Sequence, residues 1–153
     1  MKYLIRNCLE EDLLQVSQIE YASFDDPYPY RLFAALLNDF AGGFRLAAAE
    51  KGIIGYSILS FSTERGTMII SSLAVRPEFR RTGVGSELLR DAIELTSSLP
   101  ALRDTDKIVL QVAEINSSAQ SLYNKFGFKR VRELRNYYGR GKNGIQMELT
   151  LKI

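Results

Sequence analysis

The 153-residue chain carries 20 Lys and Arg against 18 Asp and Glu, a net charge of +2, with 46% hydrophobic residues; this is the composition of one ordinary globular domain, with no electrostatic case for nucleic acid. Histidine is absent and Cys8 is the single cysteine, which excludes an internal disulfide and a zinc site and leaves acid–base chemistry to Asp, Glu, Tyr, Lys or water. No apolar run approaches the roughly 18 residues of a membrane span and the N-terminus lacks a signal-peptide stretch, so the expectation is a cytoplasmic protein that engages neither membrane nor nucleic acid.

Residues 2–8 read as a short first strand that buries Cys8 as a structural thiol. Glu10, Glu11 and Asp12 then place acids in the first turn of a helix carrying Leu13, Val16, Ile19 and Ala22. The segment Phe24-Asp25-Asp26-Pro27-Tyr28-Pro29-Tyr30 cannot continue that helix through two prolines. It is an aromatic loop before a second helix over 30–40, which Gly42 and Gly43 close. Strands follow over 44–50, 53–62 and 67–75, and Lys51-Gly52 and Glu64-Arg65-Gly66 are too short to be anything but hairpin turns.

Pro77 ends the third of these strands because proline cannot donate to a sheet ladder. Next comes Arg80-Arg81-Thr82-Gly83-Val84-Gly85-Ser86, a glycine-rich turn opening a helix over 83–97 whose Leu88, Leu89, Ala92 and Ile93 recur at helical spacing. Such a turn aims several backbone N–H groups and the positive helix end at one spot. That spot suits a phosphate or pyrophosphate, and Arg80 and Arg81 add charge beside it. The spacing Arg-x-x-Gly-x-Gly is neither the dinucleotide fingerprint nor a Walker loop, and taken alone it is equally an ordinary tight turn. A buried strand over 107–113 precedes a helix over 117–126, with Asn116 as its N-cap and Gly127 at its C′ position. Strands over 128–134 and 145–151 complete a mixed α+β order, and the basic run 129–132 reads as a solvated strand face.

Preceded by Leu73-Ala74-Val75-x-Pro77, the Arg-x-x-Gly-x-Gly loop resembles the acyl-CoA pyrophosphate loop of the GCN5-related N-acetyltransferases, the GNAT superfamily. Leu122-Tyr123 six positions after Asn116, followed by Phe126-Gly127-Phe128, is a second match, and the resemblance covers nearly the whole chain. It implies the α+β GNAT fold, a mixed, mostly antiparallel central sheet of about seven strands flanked by about four helices, with acetyl-CoA as cofactor. It also implies that amides of Leu73, Ala74 and Val75, at a bulged strand end, bind pantetheine and polarise the thioester carbonyl. Arg80, Arg81, Thr82, Gly83, Val84, Gly85 and Ser86 would cradle the pyrophosphate. Asn116 would contact the pantetheine arm, and the Tyr123 hydroxyl would lie near the thioester sulfur. Chemistry agrees with the last role: a thiol has a pKa of ~8.5 and a phenol ~10, so a tyrosine stays protonated at neutral pH and can give a proton or a hydrogen bond to the departing sulfur. An isolated tyrosine on a helix would otherwise be read as core.

Asn136-Tyr137-Tyr138, before the last strand, is similar to the N-terminal α-amino acetyltransferases, including those acting on ribosomal-protein alanine and the catalytic subunits that modify nascent chains. There the paired tyrosines bind the backbone of the substrate's first residues. The loop holding Phe24, Tyr28 and Tyr30 is similar in placement to the other wall of the peptide groove. The resemblance thus implies protein or peptide N-termini as substrates, ribosomal or nascent chains among them, and direct transfer in a ternary complex; it leaves open whether an auxiliary subunit takes part. Two positions depart from the family. Gln111 stands where relatives carry Glu or His, and Phe79 where some carry Tyr; neither titrates. Asp26 is the first choice of base, acting through water that it or Gln111 holds, although an Asp before Pro27 is equally a turn former. Asp25 and Glu20 are weaker candidates. At pH 7 an α-amine is over two-hundredfold more neutral than a lysine, about 3 kcal/mol, so a site without a strong base suits the α-amine. The rivals are a small-amine, polyamine or lysine acetyltransferase and a catalytically impaired CoA-binding regulatory module.

Overall fold

The computed structural model describes residues 2–151. Strand β1 (Tyr3–Asn7) leads through a 3-10 turn (Glu10–Asp12) into helices α1 (Leu13–Ser23) and α2 (Tyr30–Asp39). Three strands follow, β2 (Phe44–Ala49), β3 (Gly52–Phe61) and β4 (Thr67–Val75), then helix α3 (Val84–Ser98), β5 (Lys107–Ala113), α4 (Ser117–Lys125), β6 (Lys129–Leu134) and β7 (Gly144–Thr150). One seven-stranded sheet runs β1-β2-β3-β4-β5-β7-β6. Every neighbouring pair is antiparallel except β4 and β5. The expected α+β architecture, strand total and helix total hold.

Local chemistry accounts for the elements. Residues 53–59 of β3 are buried without alternation, because the strand is central and covered on both faces. Val16 and Ile19 of α1 and Phe33 of α2 pack on one face with Phe44, Leu46, Tyr56 and Ile58. On the other, Leu89 and Leu95 of α3 meet Ile108, Leu110, Val112, Tyr123 and Phe128. The exposed edge strand β6 carries the basic run 129–132, charge that discourages edge-to-edge pairing.

Three local details differ from the sequence expectation. Glu10–Asp12 is a 3-10 turn rather than the first helical turn, because the Asp12 carboxylate is committed elsewhere. It accepts from the Leu9 N–H at 2.9 Å and from both terminal guanidinium nitrogens of Arg6 at 2.8 and 3.0 Å. Cys8 lies one residue beyond β1, although it is buried as expected; burial and the neighbouring Asp12 push its thiol up to about 12. The bulge in β4 sits at Ser71, between the Ser72–Ile58 and Ile70–Leu59 pairs, upstream of the expected strand end.

The feature that creates a site is the parting of β4 from β5. Only Thr67, Met68 and Ile69 pair with Lys107, Ile108 and Val109. Past Ile69 the two strands diverge, and residues 70–75 of β4 have no ladder partner on the β5 side.

Candidate functional site

A cleft of about 410 Å³ opens where β4 leaves β5. One wall is the end of β4, Leu73 to Val75; the other is the first turns of α4, from Asn116 through Ala119 to Tyr123; the N-terminus of α3 closes the end. Two helix N-termini therefore border one space.

The α3 end is built to meet an anion. Gly83 is its N-cap at φ +91° and no side chain caps it. The first intrahelical bond is Glu87 N–H to Gly83 O at 3.0 Å, so the N–H groups of Val84, Gly85 and Ser86 have no helical acceptor. Arg81 also takes a positive φ, +63°, which curls the preceding backbone toward the same point. A Cβ placed on Gly83 would meet nothing within 4 Å; it would enter the open cleft. Arg80 is partly committed, its guanidinium donating to Val75 O at 3.0 Å and to Ser23 Oγ at 3.1 Å. The apolar strand wall, unclaimed amides and basic loop fit a long acyl carrier with a pyrophosphate.

Of the residues singled out from sequence, Leu73, Ala74, Val75, Arg80, Arg81, Gly83, Gly85, Ser86, Asn116, Tyr123 and Phe24 line this cleft. Thr82 and Val84 do not: the Thr82 hydroxyl donates to Phe79 O, and Val84 is buried against Ala47, Ile54 and Leu88. Asn116 caps α4, its Oδ1 accepting from Ala119 N–H at 3.1 Å. Tyr123 is 7% exposed and stacks edge-on to Phe128 at 5.8 Å. Burial pushes its phenol up to about 12, so it remains protonated throughout the neutral range and acts as a donor.

A second group of side chains adjoins this one. Tyr137 and Tyr138 form a T-shaped pair with centroids 4.9 Å apart. Burial holds the phenol of Tyr138 high, with further contributions from Tyr137, Tyr28 and Tyr123, and Tyr28 feels Glu20 and Tyr137 as well as burial. Tyr138 thus lies within electrostatic reach of Tyr28, Tyr137 and Tyr123, and Tyr28 within reach of Tyr137, which brings the two loops expected to form the groove near one another. Asn136 shapes the second loop at φ +56°, accepting from Gly141 N–H at 2.8 Å. Tyr30 opens α2 and is exposed. Asp26 is exposed in the bend after α1, outside the cleft. Gln111 is half-buried on β5 opposite Gln146; strand alternation turns it away from the face that Leu110 and Val112 share with Tyr123.

Phe79 and Leu122, named above for their motif positions without a binding role, also line the cleft, as do Ser23, Ser118 and Ala119, which sequence reasoning passed over. The helical spacing of Ala119, Leu122 and Tyr123 carries the signal for the α4 face. It also passed over Gly144, where a Cβ would stand 3.1 Å from both Tyr137 Cβ and Tyr138 Cε2. A bare backbone there is what lets the tyrosine pair lie on β7.

A model of the acetyltransferase (GNAT) family matches residues 10–128. An N-alpha-acetyltransferase of Sulfolobus acidocaldarius is 31% identical, covering 99% of this chain and 94% of its own. A putative [ribosomal protein bS18]-alanine N-acetyltransferase of Bacillus subtilis is 29% identical over 98% and 97%. The crystal structure of Ard1 from Thermoplasma volcanium superposes with a TM-score of 0.91 at 25% identity, covering both chains fully. Among the described residues no helix is long and apolar enough to cross a membrane.

Proposed function

Because this chain belongs to the acetyltransferase (GNAT) family, we infer that it is an acetyl-CoA-dependent N-acetyltransferase of protein or peptide N-terminal α-amino groups. The observation that carries the reading is the cleft between β4 and α4, with an anion-ready helix end closing it and the Tyr123 hydroxyl in its wall. The names of the full-length relatives support the α-amine as acceptor.

Acetyl-CoA held between β4 and α4 supplies an acetyl thioester. The residues of this chain then divide the work. Free amides of Val84 to Ser86, with Arg81, hold the pyrophosphate, and the unpaired edge of Leu73 to Val75 orients the acyl arm and polarises its carbonyl. Tyr28, Tyr137 and Tyr138 hold the peptide backbone so that the amine reaches the thioester in one ternary complex. A water accepts the amine proton, since Asp26 lies outside the cleft and Gln111 faces away from Tyr123 on β5. The Tyr123 hydroxyl donates a hydrogen bond where the sulfur departs. Full proton transfer from a phenol near 12 to a thiolate near 8.5 is uphill by about 5 kcal/mol, so the hydrogen bond is its contribution. Ribosomal or nascent chains are the substrates this reading favours, and the cytoplasm its setting, in keeping with a single unpaired thiol.

Incubation with acetyl-CoA and a peptide panel, read by mass spectrometry, tests the assignment. Free N-termini beginning Ser, Ala or Met should be acetylated far faster than N-blocked peptides presenting lysine. Acetyl groups found chiefly on lysine, or faster use of spermidine, would move the protein to a side-chain or small-amine class. No turnover with intact CoA binding would make it a regulatory module.

A further inference from the structure

Glu20, near the end of α1, is 2% exposed, and among the described residues no Lys or Arg pairs with it. A buried carboxylate without a counter-cation persists only when hydrogen bonds replace its water. Here three donors do so. The Tyr56 hydroxyl of β3 and the Ser72 hydroxyl of β4 (3.0 Å) donate to Oε1, and the Tyr28 backbone N–H donates to Oε2 at 3.0 Å. Tyr28 lies between Pro27 and Pro29, so its amide is the only one in that triplet. The same residue reaches β4 a second time, its hydroxyl directed at Ser71 O at 3.4 Å. Ser71 is the bulged residue and Ser72 the next. The loop is thus moored at two adjacent points of the strand that runs on into the cofactor wall.

We propose that Glu20 is a positioning residue for the acceptor peptide: its carboxylate holds the 24–30 loop on β4 and sets where the Tyr28 phenol meets the N-terminal substrate. The proposal rests on the peptide-groove reading above and deepens it. Glu20 touches no reacting atom and acts through the Tyr28 amide. A carboxamide in its place keeps the volume but cannot accept at both oxygens, so the hydroxyl pair and the Tyr28 amide can no longer both be served in their present arrangement.

The test is Glu20→Gln in the whole protein, first by amide hydrogen exchange without any substrate. Exchange at Tyr28 should accelerate about tenfold, the worth of one hydrogen bond to a charged acceptor, while amides of the buried strands keep their protection. Unchanged protection at Tyr28 overturns the proposal whatever the activity. Kinetics with the best acetylated peptide then give the second readout. KM for peptide should rise about tenfold with kcat and the KM for acetyl-CoA little changed, and Tyr28→Phe added to Glu20→Gln should cost no further. A uniform loss in all three parameters, or an additive double variant, would make Glu20 a folding residue and overturn the proposal. Should the wild-type protein acetylate no peptide N-terminus, the functional assignment fails, and the exchange result alone still decides whether Glu20 moors the loop.

Discussion

Single side chains carry two kinds of information here, and only one was open to sequence reading. Tyr123 and Asn116 were legible because their spacing is tied to a motif, and the structure lines the cleft with both. Glu20 was less so: nothing in a run of helical residues says that one carboxylate will be enclosed by Tyr56, Ser72 and a loop amide drawn from 8 to 52 positions away. The raised phenol of Tyr123 was likewise invisible, since burial is a property of the fold. Tyr123→Phe removes the donor while keeping the edge-on contact with Phe128. Turnover should fall by about 10²-fold, within the usual range for such a group, with acetyl-CoA affinity held within about twofold. Stopped-time turnover and calorimetry on the same preparation check it, and an unchanged kcat would leave Tyr123 a packing residue.

Elements were legible where pattern and punctuation agree. Pro77 ends β4, Gly127 at φ +95° ends α4, and the apolar stripe of α3 begins at the glycine turn. What escaped were features set by partners distant in sequence: the 3-10 turn that Arg6 and Leu9 impose through Asp12, and the bulge at Ser71, which depends on register with β3. The start of α3 offers the sharpest test of element-level function. Gly83→Ala forces a left-handed residue, costing roughly 1–2 kcal/mol, and places a methyl where nothing now lies within 4 Å. CoA affinity should fall well beyond what the stability loss explains, because the protein remains folded. Gly85→Ala, whose Cβ would meet Leu122 at an ordinary 3.5 Å inside the helix, should melt no lower than wild type. Thermal melts with paired calorimetry separate the two, and equal CoA affinity in the Gly83 variant would remove the anion cradle from the account.

Across the whole molecule, several phenols share one electrostatic direction. Burial raises Tyr28, Tyr123 and Tyr138, and raises Tyr56 well above the ordinary range. An unfolded tyrosine ionises near pH 10 while the folded ones keep their protons, so their contribution is complete below about pH 10 and is lost as pH climbs toward the folded values. Tm should be insensitive to these groups between pH 7 and 9 and fall steeply above 10, by up to about 1.4 kcal/mol per pH unit for each fully buried phenol; a melting profile level to pH 11.5 would contradict the burial described. The mixed α+β class was readable from element order, but the divergence of β4 from β5 was not, because residues 67–75 read as one continuous strand. That divergence gives the sheet a mechanical character. Closed over three residue pairs and open beyond them, it is a lever whose fulcrum is the Met68–Ile108 pair, and the proposed acyl-carrier wall, Leu73 to Val75, lies on the long arm. A change at the fulcrum should therefore alter the grip at the far end without touching the ligand. Ile108→Val, fully buried and outside the cleft, should cost about 0.5–1.5 kcal/mol of stability and shift acetyl-CoA affinity about fivefold. Ile58→Val, equally buried in β3, should cost as much and leave that affinity unmoved, a difference that two titrations would read directly.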